Sequence, residues 1–398
     1  MWLNDPAQPK AAATCDRKHA PRRMKCASGE IAMMPLMWRE ELDLFKRQYL
    51  QLQLSLKYPA KECLKHEEFQ QMLYSEIFSE DAMKWYPPQR YQLRVLKELV
   101  KRIEVSITDW EEEQSISDDL MNSFASLLTT TIPPEAVAAQ EKSYVTYTLS
   151  NLLHPASPSP SSSPKADPPT ITILESRNLL GGTGTTGFRT WEASLQLSDF
   201  LCSPSCPSPL RLKGKSVLEL GSGTGYLSIC CAKYLGAAHV TATDGFDTVM
   251  TDLGTNLFLN DLQDSPLVST RELKWGHALV GNEDATFLEN WSPDTIIGAD
   301  VTYDAAALPA LVATLRDLFE LFPKAQVVIA STVRNEETYG KFLGLCEKYR
   351  FEFEHLPWDA TEPELQKGPF YETVMSVRIC RIAVGGGWTG AVKKTTSI

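Results

Sequence analysis

The chain has 398 residues, 43% of them hydrophobic, with 39 Lys and Arg against 50 Asp and Glu and a formal net charge of −11. This length suggests two or three folded units, and the composition excludes a wholly disordered or fibrous chain. The acidity argues against a general binder of nucleic-acid backbones and favours cationic substrates. No run approaches the roughly 20 apolar residues of a membrane helix, and the amino terminus carries Asp5, Asp16 and Glu30 without a secretory hydrophobic region. Nine cysteines at irregular spacing point to a reducing compartment, the cytoplasm, and not to a disulfide framework. Cys202 and Cys206 lack a second Cys or His pair at zinc spacing, so no metal site is expected.

Residues 1–34 mix Lys10, Arg17, Lys18, Arg22, Arg23 and Lys25 with Ala and Pro and show no apolar period, so they read as a disordered leader. From Trp38 the pattern becomes helical: Trp38, Leu42, Phe45, Tyr49, Leu52 and Leu56 recur at three- and four-residue steps. The period continues through Phe69, Met72, Leu73 and Ile77, then Leu93, Leu96, Val100 and Ile103 after the Pro87-Pro88 break, then Leu120, Phe124, Leu127 and Leu128. Residues 35–142 are expected to be a helical domain that packs or docks a partner, with no chemistry of its own.

Two strand-like runs, Tyr144 to Leu149 and Thr170 to Leu174, flank a segment from Pro155 to Pro169 that holds six prolines and five serines. That segment reads as a long loop of a hairpin, which places a domain start at 143. Beyond residue 210, strands and helices alternate: Ser216 to Leu220, His239 to Thr243, Thr270 to Trp275, Thr295 to Ala299, Gln326 to Ser331, Phe351 to Leu356 and Val374 to Ile382. Short apolar strands separated by helices predict an α/β, Rossmann-like doubly wound sheet of seven strands over residues 143–384, followed by a flexible tail at 385–398.

The sharpest motif is Val217 to Ser228, VLELGSGTGYLS, an apolar strand, then a turn of Gly221, Ser222, Gly223 and Gly225, then an apolar helix. Glycines there let the backbone bend and approach a ligand closely. A turn of this kind alone serves a dinucleotide, a nucleoside or a plain connection. Glu219 separates these readings, because a carboxylate beside a pyrophosphate would repel it, whereas S-adenosylmethionine carries an ammonium and a sulfonium and no phosphate. Asp244, at the end of the second strand of the sheet, is placed to accept hydrogen bonds from ribose hydroxyls. Trp275 is suited to wall the adenine, and Ala299 to let the ligand pack against a strand end. Asp300 and Tyr303 follow as a carboxylate and a phenol three residues apart, suited to holding an amine.

The run from Gly184 to Leu201, GTTGFRTWEASLQLSDFL, together with VLELGSGTG, ELKWG and GADVTYD, resembles the seven-β-strand protein lysine methyltransferases of the family 16 type. Within that family the likeness is greatest to the fungal subgroup acting on elongation factor 2, over residues from about 143 to 384. The resemblance implies a class I methyltransferase domain preceded by a small helical domain, with S-adenosylmethionine as cofactor. It further implies that Trp191, the Gly221 to Gly223 turn, Asp244, Trp275 and Ala299 contact that cofactor, and that Asp300 and Tyr303 match the D-x-x-Y element near the target lysine. The partner implied is a protein, translation elongation factor 2, with no direct nucleic-acid or membrane contact and a monomeric enzyme. A lysine of ordinary pKa must lose a proton to attack, at a cost of about 4.6 kcal/mol at neutral pH. Since a nearby carboxylate favours the ammonium, Asp300 is assigned capture and orientation of the lysine, with proton loss to water after docking, and Tyr303 positioning.

Overall fold

The computed structural model describes residues 30–108, 115–131, 133–134, 141–152, 169–177, 186–279 and 292–384. Most of the expected leader, nearly all of the Pro/Ser loop and the tail lie outside the described residues. The chain divides into two compact units, Met1–Glu40 and Glu41–Ile398. The second unit holds both the helical region from Glu41 onward and the sheet.

Helix α1 spans Glu30–Leu50, starting inside the segment expected to be leader. It stops six residues before Leu56, because the chain turns away at Leu52, whose φ is 55°. Short α2 (Lys61–Leu64) and α3 (Glu67–Leu73) lead to α4 (Gln89–Ser106) and α5 (Asp118–Thr129). Leu42, Phe45, Tyr49, Phe69, Leu73 and Ile77 form the buried seam. The buried stripe of α4 is Val95, Leu96, Leu99 and Ile103, with the expected Leu93 and Val100 only half-buried. On α5 only Leu120 is buried, and Leu128 is 57% exposed.

Strands β1 (Ser143–Thr148) and β2 (Thr170–Glu175) pair antiparallel, from Ser143 opposite Glu175 to Thr148 opposite Thr170, as a sheet of their own. The chain then runs through α6 (Glu192–Cys202), β3 (Ser216–Leu220), α7 (Tyr226–Lys233), β4 (His239–Asp244), α8 (Asp247–Leu259), β5 (Val268–Glu272) and β6 (Thr295–Ala299). It finishes with α9 (Leu308–Leu321), β7 (Gln326–Thr332), α10 (Glu336–Lys348), β8 (Phe351–His355) and β9 (Val377–Val384). The seven strands stand in the order β5-β4-β3-β6-β7-β9-β8, parallel except for β9, which is antiparallel to both neighbours. The doubly wound α/β expectation is met. Strand β5 ends three residues before Trp275, where the backbone turns at Gly276 with φ 83°. Two apolar layers cover the faces, one built on α6 and α7 and the other on α9 and α10.

The small hairpin is held by side chains of α8 and of the residue that caps it. Asn256 accepts from Leu174 N at 2.8 Å, and Asn260 accepts from Thr172 N at 3.0 Å while donating to Thr172 O at 2.7 Å. These amides satisfy an edge that would otherwise lie buried with unpaired backbone groups. The helical layer is tied to the sheet in the same polar manner. The buried Gln51 amide donates to Phe370 O and accepts from Phe370 N at 2.8 Å, and Arg177 donates to Gln51 O at 2.7 Å. Trp85 stacks on Tyr144 of β1 with ring centroids 4.7 Å apart.

Removing the Gln51 amide strands two buried backbone groups, each costing about 1–3 kcal/mol. Gln51→Ala is therefore expected to lower stability by about 2–4 kcal/mol in urea unfolding, with fluorescence and far-ultraviolet dichroism still reporting one coincident transition. Separate transitions for the two probes would show that the helical layer unfolds on its own.

Candidate active site

The order of strands reverses at β3, whose successor β4 lies on one side and β6 on the other. Such a reversal opens a crevice outside the carboxyl ends of the strands. Here the crevice is a cavity of about 470 Å³, lined by the segments that follow β3, β4, β5 and β6 and by Thr186 to Trp191. Gly221 and Gly223 have φ of 64° and 51°, in the left-handed region that favours glycine. A Cβ on Gly221 would sit 2.9 Å from Val301 Cγ1 and 3.3 Å from Trp275, and one on Gly223 would sit 3.2 Å from Gly187 O. Bare backbone is thus required along this wall.

Asp244, the last residue of β4, accepts from Gly223 N at 3.1 Å with one oxygen and from Phe246 N at 3.3 Å with the other. Burial raises its pKa and these amides oppose the rise. Its remaining lone pairs can accept from vicinal hydroxyls. The buried Ser222 Oγ, on the same wall, has no hydrogen-bond partner among the described residues. Trp275, Ala299 and Val301 add an apolar side. A carboxylate for hydroxyls, an unsatisfied hydroxyl, an aromatic wall and bare glycine backbone fit the adenosyl portion of S-adenosylmethionine.

Two expected cofactor residues do not face this cavity. Glu219 is 2% exposed and accepts a short hydrogen bond from Ser228 Oγ of α7. Its strand alternation turns it under the glycine turn, toward the helix. Burial pushes its carboxyl up to about 8 despite the Ser228 bond, so it is not the free anion expected at the mouth of the site. Gly225 caps α7 with φ 81°, and a Cβ there would collide with Leu253 Cδ1, so its role is helix packing.

A second cavity, of about 380 Å³, shares Thr186, Trp191, Asp300 and Tyr303 with the first and extends along Thr332 to Asn335 and Tyr339. Asp300 has φ 52°, a conformation that Asp tolerates and that recurs at functional sites. One of its oxygens accepts from Thr332 N at 2.9 Å and lies 3.5 Å from Arg334 Nη1, and the other accepts from Thr332 Oγ1 at 3.0 Å. It is a paired carboxylate, engaged by Thr332 and Arg334. Tyr303 is 51% exposed, with its hydroxyl 2.9 Å from Thr186 Oγ1. Trp191 donates to Thr186 O at 3.0 Å, and the Arg189 and Arg334 guanidiniums lie 4.8 and 5.1 Å from its ring centroid.

Arg334, Thr332 and Glu175 lie outside the motifs, and Arg189 lies within GTTGFRTWEASLQLSDFL without being singled out. The rule that ligands gather at carboxyl ends of strands would have found Arg334, two residues past β7. Glu175 is 1% exposed, accepts from Tyr147 Oη at 3.0 Å and Thr190 N at 2.9 Å, and so holds the Trp191 segment to the hairpin. Thr190 and Thr224 hydroxyls, 2.8 Å apart, tie the same segment to the glycine turn. Nothing in the local sequence of Glu175 marks it, since its partners arrive from 15 and 28 residues away.

The raised carboxyl of Glu219 makes the folded protein hold a proton that the unfolded chain releases. Its contribution is fully present below pH 4.5 and is lost as pH rises toward 8. Glu219→Gln is expected to be less sensitive to pH than wild type in thermal melts between pH 5 and 9, gaining relative stability on the order of a few kcal/mol at the alkaline end. Parallel curves for the two proteins would show that Glu219 titrates normally.

Residues 166–349 match the lysine methyltransferase family. The chain is 47% identical over 335 residues to the protein-lysine N-methyltransferase EFM3 of Chaetomium thermophilum, covering 84% of this chain and 95% of that protein. It is 33% identical over 191 residues to EFM3 of Saccharomyces cerevisiae, covering 45% of this chain and 53% of that protein. It is also 33% identical over 180 residues to the human protein-lysine N-methyltransferase EEF2KMT, covering 42% and 52%. The chain thus spans about half the length of the yeast and human relatives, and nearly all of the Chaetomium one. A crevice suited to an adenosyl group, joined to a second cavity, therefore belongs to a member of the protein-lysine N-methyltransferase family, with S-adenosylmethionine as methyl donor and a protein as substrate.

Proposed function

We propose that this enzyme methylates a lysine of translation elongation factor 2 in the cytoplasm, acting as a monomer. The observation that carries the transfer reading is the pair of cavities meeting at Thr186, Trp191, Asp300 and Tyr303. The glycine-turn cavity takes the donor and the Arg334 cavity takes the acceptor side chain. The choice of elongation factor 2 is supported by the D-x-x-Y and TTGFRTWEA motifs and by the likeness to EFM3 and EEF2KMT, the latter named for that factor.

When bound, S-adenosylmethionine supplies a methyl group already activated on sulfonium. Transfer to a neutral lysine nitrogen would leave the electron pair of the broken carbon–sulfur bond on sulfur, and the methylated ammonium would shed its proton to water. The protein's tasks are alignment and exclusion of water. Asp244 and Ser222 would hold the donor's hydroxyls and polar groups, and Trp275 and Ala299 would bound its ring. Asp300 and Tyr303 form the shared wall. Asp300 acts there through the Thr332 segment that it fixes, and Tyr303 acts as a half-exposed phenol over the passage.

Incubation with labelled S-adenosylmethionine and purified elongation factor 2 is expected to label one lysine-bearing peptide. Asp244→Ala is expected to weaken S-adenosylhomocysteine binding at least about tenfold in calorimetry, the loss of one to two hydrogen bonds to a buried carboxylate. Label on other lysate proteins but not on elongation factor 2 would move the substrate elsewhere and leave the transfer reading intact.

A further inference from the structure

The acceptor cavity contains a fixed cation, which is unexpected for a pocket that receives lysine. Arg334 lies two residues past β7, is 38% exposed at its side chain, and faces the cavity beside Asp300. It ion-pairs with Asp300 at 3.5 Å and with Glu192 of α6 at 3.6 Å, while its guanidinium rests over Trp191. Arg189 pairs with the same Glu192 at 3.4 Å. On the α10 side, Arg378 pairs with Glu336 and lies over the Tyr339 ring, whose hydroxyl meets His355 at 3.0 Å. Within the cavity lining Asp300 is thus matched by Arg334, whose second partner Glu192 is shared with Arg189, and behind Tyr339 the carboxylate of Glu336 is matched by Arg378. Tyr303 and Tyr339 add neutral phenols.

We infer that Arg334 is a positioning and charge-balancing residue for the acceptor, cancelling the field of Asp300 so that the bound lysine is presented as the neutral amine. The inference rests on the transfer reaction proposed above. An isolated carboxylate close to a lysine nitrogen stabilises the ammonium, the form without a lone pair. Asp300 nevertheless serves the fold, because its two oxygens hold Thr332 and so set the start of the acceptor wall. Pairing it with Arg334 keeps that structural service and removes its electrostatic cost. A guanidinium suits the task because it stays charged at every working pH, spans Asp300 and Glu192 at once and stacks on an indole.

The test is the pH dependence of the single-turnover rate with saturating elongation factor 2 and labelled S-adenosylmethionine, which reports the lysine inside the complex. In wild type the rate rises with pH to a midpoint set by loss of the acceptor proton. Arg334→Gln leaves Asp300 unbalanced and is expected to move that midpoint up by about one pH unit, with about a tenfold lower rate near pH 7 and recovery at high pH. Arg334→Lys restores the charge without the planar fork, and its midpoint is expected near that of wild type even where its maximal rate is lower. Calorimetric binding of S-adenosylhomocysteine and thermal melting establish that each variant is folded. Superimposed midpoints for wild type and Arg334→Gln, or an Arg334→Lys midpoint displaced as far as that of Arg334→Gln, would overturn the role of Arg334. Absence of label from wild type at every pH would overturn the proposed reaction itself.

Discussion

Everything at this site depends on the reversal of strand order at β3. Because β4 and β6 leave β3 on opposite sides, the connections at its carboxyl end diverge, and no helix or loop can fill the space between them. The bare backbone of Gly221 and Gly223 then brings Val301, Trp275 and Gly187 close without closing the crevice. Groups of the first cavity arrive from the ends of β3, β4, β5 and β6, and groups of the second from the ends of β6 and β7. One topological feature therefore places the Asp300 and Tyr303 side of the wall that the two cavities share.

The Trp191 segment, which closes that wall, belongs to no strand of the large sheet. It is fixed by Glu175 from the hairpin, by Thr224 from the glycine turn, and by Phe188 O accepting from Ser176 N at 2.8 Å. The hairpin in turn hangs on Asn256 of α8 and Asn260 that caps it, and the helical layer on Gln51 and Arg177. Buried polar groups of this kind specify one arrangement because each costs free energy if left unpaired. They link the helical layer to the site inside one compact unit.

The doubly wound sheet was legible in the sequence because its strands are short apolar runs, and β3 and β6 have the anticipated ends. Asp244 and Ala299 line the first cavity from strand ends, where the order of strands in the sequence places them. Glu219 was misread because spacing alone does not say which face of β3 it occupies, and the inward face puts it against Ser228. Gly225 was misread because two needs for glycine, ligand approach and helix packing against Leu253, leave the same mark in a sequence. The balanced charges around Asp300 were invisible, since Arg334 and Glu192 come together only through the fold. The net charge of −11 therefore says little about the site: Glu219 is held largely neutral by burial and Asp300 is paired.

The central claim is that donor and acceptor meet where the two cavities share Thr186, Trp191, Asp300 and Tyr303. A structure of the enzyme with S-adenosylhomocysteine and a lysine-bearing peptide of the substrate tests it most directly. The account predicts sulfur on the Gly221 side and the lysine nitrogen on the Arg334 side, in line through an opening bordered by Thr186, Trp191, Asp300 and Tyr303, with room for a methyl group between them and a reacting nitrogen-to-methyl approach of about 3–3.5 Å. A peptide lysine entering elsewhere, or one separated from the sulfur by the Asp300–Tyr303 segment, would contradict it.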